Sequence, residues 1–250
     1  MPKVPATLTG LPTYAVSLEH RTDRWELLAS HMADLELPAP VRWLGVNGPA
    51  VATDQDLASY RRNAPCGRAT LAGCWGSNVS FTRLMEYVQE QGHEWALLLE
   101  DDAFFHPHVH ARYAAFAERV PEDAEIVMLG GCHQLPPMPV DPDSLVLRGM
   151  RMTCCTGYLV SRQVVPKLLA ANTPRRKPFD VMWWPVHLEG HTYAPNPQLI
   201  VQRTSHSDIG GRVVTRTFRQ YGRYVERPDE QGLIDWGGVR VHVPSTTVVG

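Results

Sequence analysis

Trp95-Ala96-Leu97-Leu98-Leu99-Glu100-Asp101-Asp102 joins five consecutive apolar residues to three consecutive carboxylates, the acidic triplet. An apolar run of this length predicts a strand that is buried on both faces, as strands of parallel sheets are. Open α/β sheets bind ligands beyond the carboxyl ends of their strands, which is where the acidic triplet falls. Adjacent carboxylates repel one another and lose hydration there, so they need a cation, and a divalent metal is the simplest one. The stretch therefore predicts a metal site at a sheet edge; the alternative is a solvated acidic loop.

The composition is that of an ordinary globular protein. The chain has 250 residues, 44% hydrophobic and 20% charged, which is enough for one large domain or two small ones. No apolar run is long enough to span a membrane, and residues 1–10 lack the apolar segment of a signal peptide. The cysteines form neither a metal-binding C-x-x-C pair nor an even disulfide framework, so reduced thiols in a cytoplasmic protein are expected. They are Cys66, Cys74, Cys132, Cys154 and Cys155.

The net charge of -2 conceals an uneven distribution of charge along the chain. Residues 1–147 hold 10 Lys and Arg against 19 Asp and Glu, whereas residues 148–227 hold 13 against 4. This division predicts an acidic portion suited to a metal and a basic portion suited to an anionic partner. The alternative is a chance distribution that serves only solubility.

Residues 14–18 form a predicted first strand that leads into an amphipathic helix. Apolar residues recur at helical spacing from Trp25 to Leu35 and mark the buried face of that helix. Arg21 and Arg24 stand at its start, where backbone amides and guanidinium groups both attract anions. This corner predicts a pyrophosphate-binding site. The alternative is that both arginines pair with nearby carboxylates.

Two turns further along the chain offer polar groups to a ligand. Residues 41–46 indicate a second strand that ends at Asn47-Gly48, where the asparagine is placed to meet a nucleoside. Residues 73–78 are interpreted as a turn before a helix with an apolar stripe. Gly76 and Ser77 in this turn either let a ligand approach the backbone or simply begin the helix.

Five arginines near the end of the chain recur at intervals of four, three, four and four residues. On a helix they form one stripe, with an apolar stripe on the opposite face. Like charges at this spacing are unfavourable without an anion, which predicts contact with a phosphate-bearing acceptor. Pairing with the acidic portion of the chain is the alternative. The five are Arg212, Arg216, Arg219, Arg223 and Arg227.

The order of these features resembles glycosyltransferase family 25, which contains sugar transferases of lipopolysaccharide and collagen. The matching segments span about residues 13–210. They are Val16-Ser17-Leu18 with Arg21, Asp23 and Arg24; Gly73 and Gly76-Ser77; Leu98 to Ala103; Thr156 to Arg162; Pro178 and Asp180; and Gln202 with Ser207-Asp208-Ile209. The chain departs from the family at Ser17, where asparagine is frequent, and at Asn78-Val79, where a histidine is usual.

The resemblance implies a GT-A type fold, which is a single domain with a Rossmann-like mixed α/β sheet flanked by helices. Residues 13–130 are the expected donor- and metal-binding portion, and residues 131–250 the expected acceptor-binding portion. The resemblance also implies a UDP-sugar donor, bound by contacts that include Ser17 and Leu18, and a divalent metal, Mn²⁺ or Mg²⁺. A metal that bridges the diphosphate neutralises the charge that builds on the leaving UDP.

Particular residues suit the metal. Glu100 and Asp102 are two residues apart, so in an extended segment both face one side and can serve one ion. Asp101 then points toward the ribose or the sugar. His206, which follows the last strand, is a candidate third ligand or else a surface histidine near Asp208.

Family members invert the anomeric centre, and inversion requires a base that takes the proton of the acceptor hydroxyl. Asp180 is favoured because the neighbouring tryptophans should desolvate it, and its alternative role is a helix cap. Glu189 and Asp208 are the other candidates for the base. Trp183 and Trp184 are candidates for stacking on a sugar, with a position in the core as the alternative.

Two acceptors and two further classes of protein stay open. The acceptor is lipopolysaccharide or another cell-surface glycan, reached by peripheral membrane contact, or else a hydroxymethylated base of DNA. A non-catalytic nucleotide-sugar-binding protein is an alternative of another class. A metal-dependent phosphohydrolase is disfavoured, because it would be expected to need more scattered Asp and His ligands.

Overall fold

The computed structural model describes residues 2–61, 67–140, 142–143, 145–203, 205–209, 212–214 and 233–243. The strands are β1 Thr13–Ser17, β2 Val41–Leu44, β3 Trp95–Glu100, β4 Ala103–Phe105, β5 Ile126–His133, β6 Met138–Pro139, β7 Val146–Arg148, β8 Met152–Ser161, β9 Thr192–Pro195, β10 Ile200–Gln202, β11 Ser205–Ser207, β12 Arg212–Val214, β13 Leu233–Asp235 and β14 Arg240–His242. The helices are α1 Thr22–Asp34, α2 Gly48–Val51, α3 Asp54–Arg61, α4 Arg68–Gln91, α5 Val109–Ala117, α6 Val165–Ala171, α7 Phe179–Met182 and α8 Trp184–Leu188.

A central sheet of eight strands forms the middle layer of the described part of the chain, in the order β2-β1-β3-β8-β5-β9-β7-β6. β1 pairs in parallel with both β2 and β3, whereas β8 runs antiparallel to both β3 and β5. The parallel unit β2-β1-β3, with α1 and α4 between its strands in the chain, is Rossmann-like. The predicted mixed α/β sheet flanked by helices is therefore confirmed.

β3 is the buried strand that the apolar run predicts, and its side chains alternate between two cores. Leu97 and Leu99 pack with residues of α1 and α5 on one face of the sheet. Ala96 and Leu98 pack with residues of α4 and α6 on the other face. Successive side chains of a strand point to opposite faces, so burial of both faces requires the continuous apolar run.

The interpretation of residues 73–78 as a turn is wrong, because they lie inside α4. Glycine is a poor helix former, which is why the sequence pattern indicates a turn there. Packing outweighs that propensity: a Cβ at Gly76 would lie 2.5 Å from the carbonyl oxygen of Val46, and one at Gly73 would lie 2.8 Å from Cα of Ile209. The two glycines thus let residues 46–48 and Ile209 lie directly against the helix.

β10 crosses one face of the central sheet at close range and pairs antiparallel with β4. A Cβ at Gly130 would lie 2.5 Å from the carbonyl oxygen of Ile200, and one at Gly157 would lie 2.3 Å from Cδ1 of Ile200. The absence of side chains at these glycines lets β10 lie against β5 and β8. The backbone N–H of Arg203, directly after β10, donates to the carbonyl of Asp102 at 2.8 Å, so the crossing ends beside the acidic triplet.

The predicted arginine helix does not form at its first residue. Arg212 begins β12, which pairs antiparallel with β11, and the β-branched Val213 and Val214 favour a strand. The other four arginines lie outside the described residues: Arg216, Arg219, Arg223 and Arg227. None of the helices in the described ranges has the length and apolar character needed to cross a bilayer.

Candidate active site

A cleft that is open to solvent lies beyond the carboxyl ends of β1, β2 and β3. The segments that follow these three strands form its floor, and the N-terminal half of α4 and residues 202–209 form its sides. Eight of the predicted functional residues meet here. Those that line the cleft are Leu18, Arg24, Asn47, Ser77, Glu100, Asp101, Asp102 and Asp208.

Within the acidic triplet, Glu100 ends β3 and is half-buried, whereas Asp101 and Asp102 form a buried turn, which rules out the solvated loop. Asp101 and Asp102 are 6% and 4% exposed. Arg24 Nη1 lies 3.0 Å from Asp101 Oδ1 and 3.7 Å from Asp102 Oδ2, so an arginine partly balances the negative charge. Burial nevertheless raises the pKa of Asp101 to about 6; Arg24 opposes this rise and the neighbouring Asp102 adds to it.

Both arginines of the predicted pyrophosphate site are paired with carboxylates. Arg21 donates two hydrogen bonds of 3.0 Å to Asp23 and one of 2.5 Å to Asp208. Arg24 Nη2 lies 3.8 Å from Asp208 Oδ2. Both arginines also donate to the backbone carbonyl of His206, at 3.3 and 2.5 Å. These contacts tie the 206–208 segment to the corner between β1 and α1.

The metal prediction can be tested against the residues present. Within the described ranges, no three His, Cys, Asp or Glu side chains converge as ligands of one ion, so Glu100, Asp102 and His206 do not form the predicted set of three. The His206 side chain is exposed. Mg²⁺ usually takes one or two carboxylates and completes its shell with substrate phosphates and water. Glu100 and Asp102 fit a metal of that kind, and not one that is held by protein ligands alone.

The predicted donor contacts divide into two groups. Leu18, Asn47 and Ser77 line the cleft, but Ser17, Arg21 and Gly76 do not. The side chain of Ser17 is buried, and its Oγ donates to the Leu18 carbonyl at 3.4 Å. A Cβ at Gly76 would lie 2.6 Å from the backbone nitrogen of Gly48. Gly76 therefore brings two chain segments together, and the prediction that it admits a ligand to the backbone is wrong.

The carboxylate of Asp180 holds a strained backbone segment. Its Oδ2 accepts a hydrogen bond from the Cys154 N–H at 2.9 Å, and its Oδ1 accepts one from Val181 N–H at 2.8 Å. Cys154 has a φ of 55°, which is uncommon for a residue other than glycine. Asp180 does not line the cleft. Burial raises the pKa of the Cys155 thiol, and the charges of Asp180 and of the cleft residue Glu100 raise it further.

The two other base candidates lie in different places. Asp208 lines the cleft, where it is paired with Arg21. Glu189 lies outside it, and its carboxylate pairs with Lys167 at 2.8 Å. Glu189 is therefore the least suited of the three candidates to act on a substrate in this cleft.

Neither tryptophan of the predicted acceptor site lines the cleft. Trp183 is 0% exposed and packs edge-on against Tyr158 and Phe179, so its predicted stacking on an acceptor is wrong. Its aromatic ring is more stable in the apolar core, where it buries a large area. Trp184 is half-buried, and its Nε1 donates to the carbonyl of Met152 at 3.1 Å.

Ser80 and Arg203 line the cleft but are not among the candidates that the sequence singles out, and Gln202 is named there only as part of the family resemblance. Ser80 Oγ accepts a hydrogen bond from the Val46 N–H at 2.8 Å and fixes the segment after β2. Gln202 Nε2 donates to Asp102 Oδ2 at 2.7 Å, and Arg203 lines the cleft beside it. Gln202 and Arg203 follow the apolar residues of a short strand, just as the acidic triplet follows an apolar run. This pattern in the sequence could have identified both residues.

Comparison with known proteins gives little beyond this geometry. No family model and no curated protein matches the chain. Among solved structures it is similar to a glycosyltransferase involved in the glycosylation of the major capsid of PBCV-1, with a TM-score of 0.35 and 8% identity. That similarity covers 74% of this chain and 92% of the other. A TM-score of this size supports no inference about function, which rests on the residues of the cleft.

Proposed function

We propose that this protein is an inverting glycosyltransferase that moves a sugar from a UDP-sugar to a hydroxyl of an anionic acceptor, with the help of a divalent metal. One observation carries the proposal. The three carboxylates of the acidic triplet line an open cleft at the carboxyl ends of parallel strands, which is where α/β sheets bind their ligands. Asn47, after β2, lines the same cleft and offers both a donor and an acceptor to a nucleoside.

The residues of the cleft suit the handling of a diphosphate leaving group. Mn²⁺ or Mg²⁺ bound by Glu100 and Asp102 would neutralise the charge that builds on UDP. The protein orients Asp102 in advance, because Gln202 Nε2 holds its Oδ2 at 2.7 Å and Arg203 N–H holds its carbonyl at 2.8 Å. A carboxylate that is already oriented needs no reorganisation when charge develops on the substrate.

The base that deprotonates the acceptor is proposed to be Asp180, with Asp208 as the alternative. Asp180→Asn keeps one oxygen that can accept from the Cys154 N–H and loses the bond from the Val181 N–H, so the fold should persist with slightly lower stability. We expect turnover to fall by about 100-fold or more, the usual effect of losing a general base, while UDP-sugar affinity stays unchanged. Asp208→Asn is the matched variant. Undiminished turnover in Asp180→Asn, with loss of turnover in Asp208→Asn, would assign the base to Asp208.

The acceptor is proposed to be anionic because residues 148–227 hold 13 Lys and Arg against 4 Asp and Glu. Lipopolysaccharide or another cell-surface glycan is the favoured acceptor. DNA with hydroxymethylated bases is the alternative with the same phosphate chemistry. Mass spectrometry of both acceptors after incubation with enzyme and donor would show which of them gains the mass of a sugar.

The activity itself is tested by measuring UDP release from a panel of UDP-sugars. We expect release from at least one donor in the presence of Mn²⁺, loss of that release in EDTA, and recovery when Mn²⁺ is returned in excess. Tight binding of a UDP-sugar without any release of UDP, with or without acceptor, would instead identify a non-catalytic nucleotide-sugar-binding protein.

A further inference from the structure

Arg203 differs from Arg21 and Arg24 in the partners of its guanidinium group. Arg203 is one of the residues that line the cleft, and it is 2% exposed. Nη2 donates to the Leu27 carbonyl at 3.2 Å, and the guanidinium lies over the ring of Phe104 with its carbon 5.2 Å from the ring centre. Among the described residues, Nε and Nη1 have no hydrogen-bond partner, and no ion pair includes Arg203.

The two arginines of the predicted pyrophosphate site are already engaged. Arg21 is held by Asp23 and Asp208, and Arg24 is held by Asp101. A phosphate group would have to compete with these carboxylates for either guanidinium. Arg203 lines the same cleft and has two buried guanidinium nitrogens that no protein acceptor occupies, so an anion meets no such competition there.

An unsatisfied buried guanidinium is unfavourable because it has lost its hydration without full replacement by protein acceptors. Burial lowers the pKa of Arg203 to about 10, with the Asp102 charge opposing the decrease, so the side chain stays positively charged at neutral pH. An anion that enters the cleft would supply the missing acceptors. The planar fork of arginine matches the oxygens of a phosphate particularly well.

We infer that Arg203 is the phosphate-binding residue of the cleft, and that it takes the diphosphate of the nucleotide ligand. The position next to Asp102 supports a diphosphate, because the backbone of Arg203 is bonded to Asp102 at 2.8 Å. A diphosphate between them meets the metal-binding carboxylate on one side and the guanidinium on the other. The identity of the ligand as a UDP-sugar rests on the proposed function, whereas the phosphate-binding role of Arg203 does not.

Titration calorimetry with pyrophosphate, UDP and uridine tests this role, in buffer with Mn²⁺ and again with EDTA. In the buffer where the wild type binds pyrophosphate more tightly, Arg203→Gln should weaken the binding of pyrophosphate and UDP by about 10-fold or more. Uridine affinity should change by less than about 2-fold, because uridine carries no phosphate.

Arg148 on β7 provides a matched control. It is half-buried, its guanidinium carbon lies 5.7 Å from the centre of the Tyr193 ring, and its Nη2 donates to the Tyr193 hydroxyl at 3.3 Å. It does not line the cleft, so Arg148→Gln should bind all three ligands as the wild type does. Arg203→Lys keeps the charge but loses the fork, and should bind pyrophosphate with an affinity between those of wild type and Arg203→Gln.

Three results would overturn the inference. They are wild-type affinity of Arg203→Gln for UDP, an equal loss of uridine and UDP binding, and absence of pyrophosphate binding by the wild type in both buffers. If Arg203→Gln does not fold, as judged by its thermal melting, Arg203→Lys replaces it in the test. A selective loss of affinity for pyrophosphate and UDP then supports the role, and no loss of affinity overturns it.

Arg203-dependent UDP binding without UDP release from any donor would refute only the proposed transferase. Sugar transfer together with unchanged binding by Arg203→Gln would refute only the role of Arg203.

Discussion

The two sides of the cleft are built by different forces. One side, the charged wall, joins the corner between β1 and α1 to residues 206–208 through Arg21, Arg24 and Asp208. The other side, the glycine wall, packs residues 46–48 onto α4 through Gly48 and Gly76, where backbones meet too closely for any side chain. Ion pairs tolerate adjustment and respond to pH and salt, whereas a backbone contact of this kind does not. Sterics therefore determine the shape of one wall, and electrostatics that of the other.

This difference matters for a ligand that carries charge. A diphosphate or a metal ion alters the balance of charges on the charged wall, where the Arg24 and Asp101 side chains are each 8% exposed. The glycine wall has no comparable groups at its contact and keeps its position. We therefore expect the charged wall to respond to ligand binding, while the glycine wall keeps Asn47 in a constant place for the nucleoside.

Gly48→Ala should have the largest effect, because it breaks the glycine wall. The added Cβ would lie 1.8 Å from the carbonyl oxygen of Ala72 and 2.7 Å from its carbonyl carbon, and neither atom can move without the helix. We expect a loss of more than about 3 kcal/mol in the free energy of unfolding, measured by urea denaturation. Gly67→Ala is the control: it meets no atom within 4 Å and should cost at most about 1 kcal/mol as an N-cap change. Equal stability of Gly48→Ala and wild type would show that the wall is not sterically closed.

Asp102→Asn should abolish most of the activity and leave the fold intact. Asparagine keeps an oxygen that can accept from Gln202 Nε2, but it lacks the charge that a metal requires. We expect UDP release in Mn²⁺ to fall by about 100-fold or more, with little change in urea denaturation. Asp143→Asn, at an exposed carboxylate paired with Arg119, should keep full turnover. If Asp102→Asn in EDTA releases UDP as fast as the wild type does in Mn²⁺, a metal role for this residue is refuted.

Because the pKa of Asp101 is raised, its contribution to the stability of the folded protein should increase in acid. This pKa rises from 3.8 to about 6, so between these values the folded protein keeps a proton that the unfolded chain has lost. Stability from this group therefore increases as the pH falls through that range. The free energy of unfolding of the wild type relative to Asp101→Asn should rise by about 1 to 3 kcal/mol from about pH 7 to about pH 4, measured in EDTA. A decrease over the same range would mean that pairing with Arg24 outweighs burial.

Asp208→Asn should have the smallest effect on the free energy of unfolding, because this carboxylate is 27% exposed. Removing its pairs with Arg21 and Arg24 should cost about 1 kcal/mol or less, and the cost should shrink in high salt. Both arginines keep their bonds to the His206 carbonyl in this variant. Urea denaturation at low and high ionic strength measures the change. A loss as large as that of Gly48→Ala would remove the distinction between the two walls.

Local pattern was sufficient for the parts of the fold that are governed by neighbours in the chain. The apolar run of β3, the helical spacing that predicts α1 and the position of the acidic triplet at a strand end were all predicted from the sequence. Each depends on burial of one or both faces of a single element, and hydrophobic periodicity records that burial directly.

Contacts between residues far apart in the chain decided the rest. α4 continues through Gly73 and Gly76 because packing against Ile209 and Val46 outweighs a helix propensity penalty of about 1 kcal/mol per glycine. Asp208 and Asp101 occupy Arg21 and Arg24, which the sequence assigns to a pyrophosphate, and Trp183 lies in the core. Arg203 reaches the cleft because β10 crosses the sheet over Gly130 and Gly157. No local periodicity encodes such contacts, since their free energy arises only when the distant segments meet.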